Sequence, residues 1–371
     1  MSITTVLHEA SLTGAPKIGG IIAVALKKDF DTRVLCLDGG PLLPWIEERL
    51  GAQSVKCLDL GNSRNHTPFA QRVRQATAAL EEEPGDIVYV NSLSASEYVV
   101  AAKRLGKRVV LHVHEKAAEM AHLLGHQLTK LEVLPLCDGV VLAAEEIARD
   151  LVEVFHHLPE HVLDFGIAVD AEEIALAARQ GEAEARNAAG EPIRWGERLA
   201  IGMCGHASRR KGCDIFYEAA AAAPQHDFVW VGNWGPPDTP ENVVYERFLE
   251  ERLPNLYVSG LAANPYQYIS RFDLFFLSSR EDPNPVVLAE ALLLGVPILA
   301  FSKTTAVADF LGRSAILCHG AANTEDAARV LNALDPEEIR SDEFRRLSDG
   351  FRARFDIAQK IGGLSGFLGS L

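Results

Sequence analysis

The sequence predicts an α/β fold built from two doubly wound parallel sheets. Short apolar segments alternate with amphipathic helical segments along most of the 371 residues. Continuous apolar strands separated by helices are typical of parallel sheets that helices cover on both faces. The alternation pauses over residues 177–198 and then begins again, and a chain of this length suggests two domains.

The first half of the chain contains six segments with the composition of buried strands. They are 4–8, 32–38, 54–60, 86–92, 108–114 and 138–144. The helical segments predicted between them are 17–28, 42–50, 67–83, 94–105, 116–135 and 144–156. This alternation predicts a first domain over residues 1–170.

The second half repeats the pattern. Its predicted strands are 199–205, 227–233, 255–260, 273–279, 296–301 and 315–319. The polar stretch 177–198 is predicted to be a helix and loop that lead into a second domain at 171–350. Ligands of open α/β sheets bind beyond the carboxyl ends of the strands, so we expect both sheets to present those ends to one cleft.

Composition and charge exclude some classes of partner. The formal net charge is −15 and the pI about 5.3, which disfavours binding along a nucleic-acid backbone and a general attraction to anionic membranes. No apolar run reaches the ~18 residues that a membrane span needs, although peripheral contact with a membrane stays open. One basic cluster is interpreted as a solvated loop; it contains Lys103, Arg104, Lys107 and Arg108.

The amino-terminal residues and the cysteines point to a cytoplasmic protein. The segment "MSITTVLHEASL" has no basic region before an apolar core, so no secretion signal is expected. The six cysteines form no C-x-x-C pair, and most lie in apolar runs. We therefore expect buried, reduced thiols.

The segment "SSREDPNPVVLAEALLLGVPILAF" carries the first candidate site, because two acids lie eight residues apart in an otherwise apolar stretch. Asn284 is predicted to cap a helix over 286–294, with Pro285 at its first position. The unpaired N–H groups at such a helix start suit a phosphate. Asp282, on the loop before the helix, can reach a neutral polyol.

Glu290 falls near the second turn of that helix. If the helix packs against a sheet, the carboxylate needs a hydrogen-bonding partner, and a pair of ribose hydroxyls is one. The alternative interpretation makes Asp282 a loop cap and Glu290 an exposed helix residue.

A second candidate site follows the first strand of the second domain, in "GMCGHASRRKGCDIFYEAAAA". Gly205 and Gly212 permit a tight loop before a helix. Cations at such a turn can neutralise a diphosphate and stabilise a departing one, although a solvated basic turn is the alternative. The cations are Arg209, Arg210 and Lys211.

These stretches, with "FVWVGN" and "NLYVSGLAANPYQYISRFDLFFLSS", resemble the donor-binding half of family 4 glycosyltransferases. The element "SREDP-x-P-x-V-x-x-E" is similar to the E-x7-E element of that family, with Asp282 in place of the usual first glutamate. The resemblance implies the GT-B fold, in which two Rossmann-like domains face a cleft, and transfer with retention of anomeric configuration.

The resemblance also implies roles for residues around the diphosphate. Lys211 would hold the donor diphosphate and Asp282 would contact hydroxyls of the donor sugar. The arginine that usually precedes the lysine by five residues is replaced by His206, so Arg209 or Arg210 would supply that charge.

Further roles follow for the nucleotide. Glu290 would bind the ribose. Backbone N–H groups around Asn284, Val286 and Val287 would approach the sugar and phosphates. The residues expected around the base or ribose are Gly232, Asn233 and Leu261.

In the first domain, Gly14 in "HEASLTGAPKIGG" resembles the family's loop after strand one. His112 and His114 share one face of a strand, so they are either half of a metal site or buried core histidines. The resemblance favours His114 as an active-site residue that touches the donor sugar. Asn91 and Ser92 are candidates for the acceptor side.

Two other features follow from the resembled fold. It generally needs no metal, and the D-x-D at residues 29–31 is interpreted as a solvent-exposed turn. The amphipathic tail 351–371 is expected to form a last helix that crosses back to the first domain.

The sequence therefore predicts a hexosyltransferase that moves a hexose from a nucleoside-diphosphate sugar to a glycan or lipid-linked acceptor, without a metal or another cofactor. Two alternatives stay open. One is a GT-B-fold phosphorylase or sugar-nucleotide epimerase. The other is a sugar-nucleotide binding module without catalysis.

Overall fold

The structure is a computed structural model that describes residues 1–234, 242–282, 285–304, 311, 315–318, 320–341 and 348–371. The chain divides into two compact units. The first unit contains Met1–Val169 and Phe355–Leu371, and the second contains Asp170–Arg354. Each unit has one parallel sheet flanked by helices, which confirms the predicted fold class.

The described part of the first unit has a seven-stranded sheet in the order β3-β2-β1-β4-β5-β6-β7. Its strands are β1 (Ser2–Leu7), β2 (Asp31–Cys36), β3 (Val55–Cys57), β4 (Ile87–Asn91), β5 (Arg108–Val113), β6 (Gly139–Leu142) and β7 (Val162–Asp164). The described part of the second unit has a six-stranded sheet in the order β10-β9-β8-β11-β12-β13. Its strands are β8 (Ala200–Cys204), β9 (Asp227–Val231), β10 (Leu256–Gly260), β11 (Leu274–Leu277), β12 (Ile298–Phe301) and β13 (Ala315–Cys318).

Helices connect the strands, as parallel pairing requires. In the described part of the chain they are α1 (Gly14–Leu26), α2 (Leu43–Leu50), α3 (Phe69–Glu81), α4 (Glu97–Arg104), α5 (Ala117–Gly125), α6 (Ile147–Phe155), α7 (Ala171–Ala177), α8 (Cys213–Ala222), α9 (Asn242–Glu251), α10 (Tyr266–Ile269), α11 (Val286–Leu293), α12 (Thr324–Asn332), α13 (Pro336–Ile339), α14 (Arg352–Phe355) and α15 (Ile357–Ser370). Among the described residues, no helix is both long and apolar enough to cross a bilayer.

Both sheets reverse their strand order at one point. In the first unit the reversal lies between β1 and β4, where Leu7 pairs with Asn91 at the ends of the strands. In the second unit it lies between β8 and β11, where Phe275 pairs with Gly202. Open α/β sheets bind ligands outside the carboxyl ends of the strands at such a reversal. A ligand-binding site is therefore expected at the loops after these four strands.

The strands are buried because helices cover both faces of each sheet. All residues of β4 and β9 are buried, and Trp230 on β9 is completely inaccessible. Phe216 of α8 meets the Trp230 ring at a centroid distance of 5.3 Å and an interplanar angle of 80°. Edge-to-face pairs of this kind add about 0.5–1.5 kcal/mol beyond the area they bury.

Two predicted helices differ from the structure. The predicted helix over 116–135 is wrong as a single element, because α5 ends at Gly125 and a 3-10 helix begins only at Leu131. The chain leaves the helix where Gln127 adopts a left-handed φ of 56°, after which the Leu128 N–H bonds the Leu123 carbonyl. The helix predicted within 177–198 lies just before that stretch, as α7.

The carboxy-terminal segment belongs to the first unit. Val169 and Asp356 form a parallel bridge, and α15 packs against α1. Ser365 donates a hydrogen bond of 2.7 Å from its hydroxyl to the Asp29 carboxylate. The D-x-D segment runs from the turn after α1 into Asp31, the first residue of β2, at the amino-terminal edge of the sheet.

Gly202 in β8 gives a test of core packing. A Cβ built there would lie 2.1 Å from the Phe272 ring, which is itself buried. Overpacking of this kind typically costs about 1–3 kcal/mol. We therefore expect Gly202→Ala to lower the Tm of the second unit, measured by thermal denaturation.

The matched control is Gly350→Ala in the same unit, where an added methyl group would meet no described atom within 4 Å. This variant should melt like the wild type. Equal melting of both variants would contradict the tight packing around Gly202.

Candidate functional site

The two candidate loops of the second unit meet at the reversal between β8 and β11. Lys211, on the loop after β8, forms an ion pair through Nζ with Oδ2 of Asp282, on the loop after β11. The two side chains are only 16% and 10% exposed. The contact lies at the strand reversal, where sheets of this kind bind ligands.

A glycine allows the two loops to pack this closely. Gly212 has a left-handed φ of 69°, and a Cβ there would lie 2.0 Å from the Ser278 carbonyl oxygen. The Lys211 backbone is held on both sides, because its carbonyl accepts from the Ser278 hydroxyl at 2.9 Å and its N–H donates to the Ser208 hydroxyl at 3.2 Å. The lysine therefore projects from a fixed backbone.

Arg280 joins the same two loops from the other side. Its guanidinium donates to the Arg209 carbonyl at 2.8 Å and binds both carboxylate oxygens of Asp214, at 2.7 and 2.6 Å. Burial opposes ionisation of Asp214, but the hydrogen bonds and charge of Arg280 hold its pKa below the usual value. Sequence reasoning assigned Arg280 no role, although it stands two residues before Asp282.

The remaining cations lie at the tip of the loop. Arg209 and Arg210 are exposed, as is His206 at the start of the loop. The Arg210 Nη1 lies 3.7 Å from Oδ1 of Asp282 and donates to the Glu281 carbonyl at 3.0 Å. Lys211 and Arg210 thus both pair with one buried carboxylate, and a turn with this many cations suits a multiply charged anion.

Gly205, Gly232 and Asn233 meet at the ends of β8 and β9. Gly232 has a φ of 144°, and a Cβ there would lie 2.1 Å from the Gly205 carbonyl oxygen. That carbonyl accepts from the Trp230 indole at 3.0 Å, and the Asn233 carbonyl accepts from the Ala207 N–H at 2.8 Å. The close approach explains why this position holds glycine.

Leu261 lies one strand further along the same edge. The Gly232 N–H donates to the Gly260 carbonyl at 3.0 Å, which ties the end of β9 to the end of β10. Leu261 follows directly and is 83% exposed, an unusual exposure for a large apolar side chain. The predicted base-side residues therefore share one edge with Lys211.

The helix after Asp282 starts where the predicted range 286–294 starts, but its cap differs from the prediction. Pro285 is the N-cap of α11, not its first residue, and the helix starts at Val286. Val286 and Val287 form the first turn, whose N–H groups have no partner within a helix. Asn284, the predicted cap, lies outside the described residues.

Glu290 is buried on α11, with 4% exposure. Its Oε1 accepts a hydrogen bond of 3.2 Å from the Tyr266 hydroxyl on α10. The alternative interpretation of Glu290 as an exposed helix residue is therefore wrong. Sequence reasoning missed Tyr266, which stands 24 residues away and carries no motif.

Gly14 and His114 belong to the first unit and lie near its own strand reversal. Gly14 is the first residue of α1, and the Ala15 carbonyl accepts from the Asn91 amide at 2.9 Å. The Asn91 side-chain oxygen is 3.0 Å from Nε2 of His114. One amide thus links the ends of β4 and β5 to the start of α1.

His112 in β5 and His114, which directly follows that strand, are uncharged near neutral pH. Burial lowers the pKa of His114 to about 3, with His8 adding to the effect. Burial also lowers the pKa of His112 well below its usual value, and its Nδ1 is hydrogen-bonded to the Tyr89 hydroxyl at 2.9 Å. Within the described ranges, no three His, Cys, Asp or Glu side chains are placed to hold a metal ion.

Glu115 is a buried acid for which the sequence predicted no role. It connects the residues that follow β4 to the residues that follow β5. Glu115 accepts hydrogen bonds from the Ser92 hydroxyl, from the Leu93 N–H at 3.0 Å and from the His114 N–H at 3.0 Å. Ser92 has a left-handed φ of 87°, a conformation that costs about 1–3 kcal/mol in a non-glycine residue. Its bond to Glu115 stabilises that conformation.

Part of the second unit matches a known protein family. Residues 198–335 match the family model described as glycosyl transferases group 1. No curated protein sequence matches the chain significantly.

Solved structures share the whole fold. Anabaena Alr3699/HepE, crystallised with UDP-glucose, is 16% identical, with 100% of both chains covered and a TM-score of 0.76. A glycosyltransferase from Rickettsia africae is 14% identical over 99% of this chain and 97% of its own, with a TM-score of 0.72. WaaG, a glycosyltransferase involved in lipopolysaccharide biosynthesis, is 14% identical over 98% of both chains, with a TM-score of 0.66. The chain therefore has the GT-B fold of two Rossmann-like units, and the match over residues 198–335 supports a glycosyltransferase.

Proposed function

We propose that the protein is a retaining, family 4-type glycosyltransferase that moves a hexose from a nucleoside-diphosphate sugar to a glycan or lipid-linked acceptor. The observation that carries the proposal is the Lys211–Asp282 pair at the reversal of the second sheet. The similarity of residues 198–335 to group 1 glycosyl transferases supports it. The fold shared with a protein crystallised with UDP-glucose makes UDP-sugars the first donors to test.

The donor diphosphate would bind the cationic loop. Lys211 is the least exposed of its cations, with a fixed backbone, while Arg209 and Arg210 add charge at the tip. The first turn of α11 adds N–H groups that favour an anion. A diphosphate entering this loop competes with Asp282 for Lys211, so donor binding exchanges one anionic partner of the lysine for another.

The chemical step would depend on electrostatic stabilisation. Negative charge builds on the diphosphate as the glycosidic bond breaks, and Lys211 with a neighbouring arginine stabilises it. Asp282, released from Lys211, accepts hydrogen bonds from hydroxyls of the donor sugar. The acceptor hydroxyl attacks from the side on which the diphosphate leaves, so configuration is retained without a protein nucleophile. These cations take the charge-screening role that a metal ion has in other transferases.

The nucleoside would lie along the neighbouring strand ends. Glu290 accepts from the ribose hydroxyls, and Gly205, Gly232 and Asn233 line the approach with backbone atoms. Leu261 offers an exposed apolar surface to the base. The first unit would bind the acceptor, and His114 would hydrogen-bond a sugar hydroxyl as a neutral imidazole.

Lys211→Ala tests the central role. A thermal-shift screen with UDP-, GDP- and ADP-sugars should identify one donor class that raises the Tm of the wild type, because a ligand that binds only the folded state stabilises it. With that donor, the variant should lose about 10²–10³-fold in kcat, since a cation at the leaving group acts mainly in the transition state.

The matched control is Lys103→Ala, which removes another lysine paired to an aspartate, in this case Asp138 at 2.8 Å in the first unit. Its kinetics should equal those of the wild type. Wild-type kinetics in Lys211→Ala would refute the role. Donor binding without transfer to any acceptor would favour a binding module, and phosphate-dependent cleavage or epimerisation would favour the other enzyme classes.

Asp282→Asn should separate diphosphate binding from sugar recognition. The change removes the anion that now neutralises Lys211, so affinity for the free nucleoside diphosphate should rise about 3–10-fold, as expected for one charge interaction in a half-buried site. Turnover of the sugar donor should fall, because the amide no longer offers a carboxylate to the hydroxyls. Calorimetry measures the predicted rise in affinity, and initial rates measure the predicted fall in turnover. A variant that loses both affinity and turnover would contradict the exchange of Asp282 for the diphosphate at Lys211.

His114→Asn gives a test of pH dependence. Since burial lowers the pKa of His114 to about 3, the ring is neutral throughout pH 5.5–8.5, and the loss of kcat in the variant should be the same factor across that range. The folded pKa lies below the unfolded value of about 6.5, so the wild type should also lose stability as pH falls below 6.5, more than the variant does. A loss of kcat that changes between pH 6 and 8 would contradict a neutral role.

A further inference from the structure

Arg280 lies on the loop after β11 and makes two contacts with the backbone of the cationic loop after β8. Its N–H donates to the Arg210 carbonyl at 2.8 Å, and its guanidinium donates to the Arg209 carbonyl, also at 2.8 Å. The loop after β11 makes a third contact through the Ser278 hydroxyl, which donates to the Lys211 carbonyl at 2.9 Å. Three successive carbonyls of the basic triplet are therefore bound by one neighbouring loop.

These three hydrogen bonds restrict the backbone from which the cationic side chains project. A segment that is held at three consecutive carbonyls has few alternative conformations. An anion that had to order this segment itself would lose part of its binding free energy to conformational entropy. The loop is therefore prepared for an anion before one binds.

Asp214 holds the Arg280 guanidinium in place. Its carboxylate, in the first turn of α8, accepts from Nη1 and Nη2 of Arg280 at 2.7 and 2.6 Å. A bidentate pair fixes the plane and rotation of the guanidinium, which an ammonium group cannot reproduce. The two side chains are 33% and 39% exposed, and ion pairs this exposed contribute little to stability. The pair is therefore better explained by the loop that it holds than by the stability that it adds.

We propose that Arg280 is a positioning residue that holds the cationic loop in its anion-binding conformation before the donor arrives, and that Asp214 acts through it. The inference rests on the proposed function, because the anion that the loop receives is the donor diphosphate. Arg280 itself binds no part of the donor. Its charge is neutralised by Asp214, and the geometry of its guanidinium is what the loop requires.

The test is calorimetric titration of the wild type, Arg280→Lys and Asp214→Asn with UDP, GDP and ADP. Arg280→Lys keeps the positive charge but removes the planar fork that joins the Arg209 carbonyl to Asp214. Its affinity for the nucleoside diphosphate that the wild type binds should fall about 5–30-fold, which corresponds to ordering the backbone of one residue at binding. A role through charge alone predicts wild-type affinity, because lysine carries the same charge.

Asp214→Asn separates positioning from charge by the sign of the change. The variant removes a negative charge near a site for anions, so a purely electrostatic role of the pair predicts tighter nucleotide binding. Loss of the bidentate contact leaves the guanidinium free to rotate, so a positioning role predicts weaker binding. We expect the affinity to fall at about 0.15 M salt, where the Debye length of about 8 Å limits the effect of an exposed charge.

Arg340→Lys is the matched control. Arg340 also binds both oxygens of an aspartate, Asp273, at 2.9 and 3.1 Å, and it also donates to a backbone carbonyl, that of Arg198, at 2.8 Å. Asp273 directly precedes β11, so this pair lies at the opposite edge of the same sheet. The exchange removes the same kind of fork from the same unit, and it should leave nucleotide affinity unchanged. Thermal denaturation measures what each variant loses in stability.

Three results would overturn the inference. Wild-type affinity in Arg280→Lys would show that the loop does not need the fork. Unchanged or tighter binding in Asp214→Asn would show that the pair does not act by positioning. An equal loss of affinity in Arg340→Lys would indicate a general loss of stability in the second unit. A wild type that binds none of the three nucleoside diphosphates would instead refute the proposed function, and the inference with it.

Discussion

The ion pair between Lys211 and Asp282 is the contact on which the candidate site depends. It exists because the second sheet reverses its strand order between β8 and β11, which places the loops after these strands side by side. Gly212 allows the loops to touch, and Arg280 braces them through Asp214. Removing one partner of a half-buried charge pair leaves the other charge uncompensated. In the proposed function, a diphosphate that replaces Asp282 would avoid this, because the lysine would keep an anionic partner throughout.

The same topological rule acts in both units, but the resulting edges differ in charge. In the second unit the strand reversal is surrounded by cations, most of them exposed on one turn. In the first unit, burial lowers the pKa values of His112 and His114, so both rings are neutral. The Glu115 carboxylate accepts three hydrogen bonds from its own unit. Under the proposed function, this difference would suit uncharged hydroxyl groups at the first edge and phosphates at the second.

The sequence predicted what depends on local pattern. The alternation of apolar strands and helices predicted the fold class. The spacing of the two acids singled out Asp282 and Glu290 as candidates, and the basic triplet after the first strand of the second domain singled out Lys211. Contacts between residues far apart in the sequence were not predicted. The hydrogen bonds from Tyr266 to Glu290 and from Leu93 to Glu115 are examples, because no short sequence motif indicates them. The predicted end of the helix over 116–135 was also wrong, because the chain leaves the helix near Gln127, which has a left-handed φ.

The aspartate at position 282 shows how such a long-range contact changes the meaning of a motif. An aspartate is one methylene shorter than the glutamate usual in this element, so its carboxylate stays closer to the loop backbone. Here the loop is held in place, because the Asp282 N–H donates to the Thr304 carbonyl at 2.9 Å and the Ser279 hydroxyl donates to the Asp282 carboxylate at 3.4 Å. The shorter acid is thus held within reach of both Lys211 and Arg210. The loop accommodates the aspartate, and in the proposed function this acid is the group that an incoming diphosphate would displace.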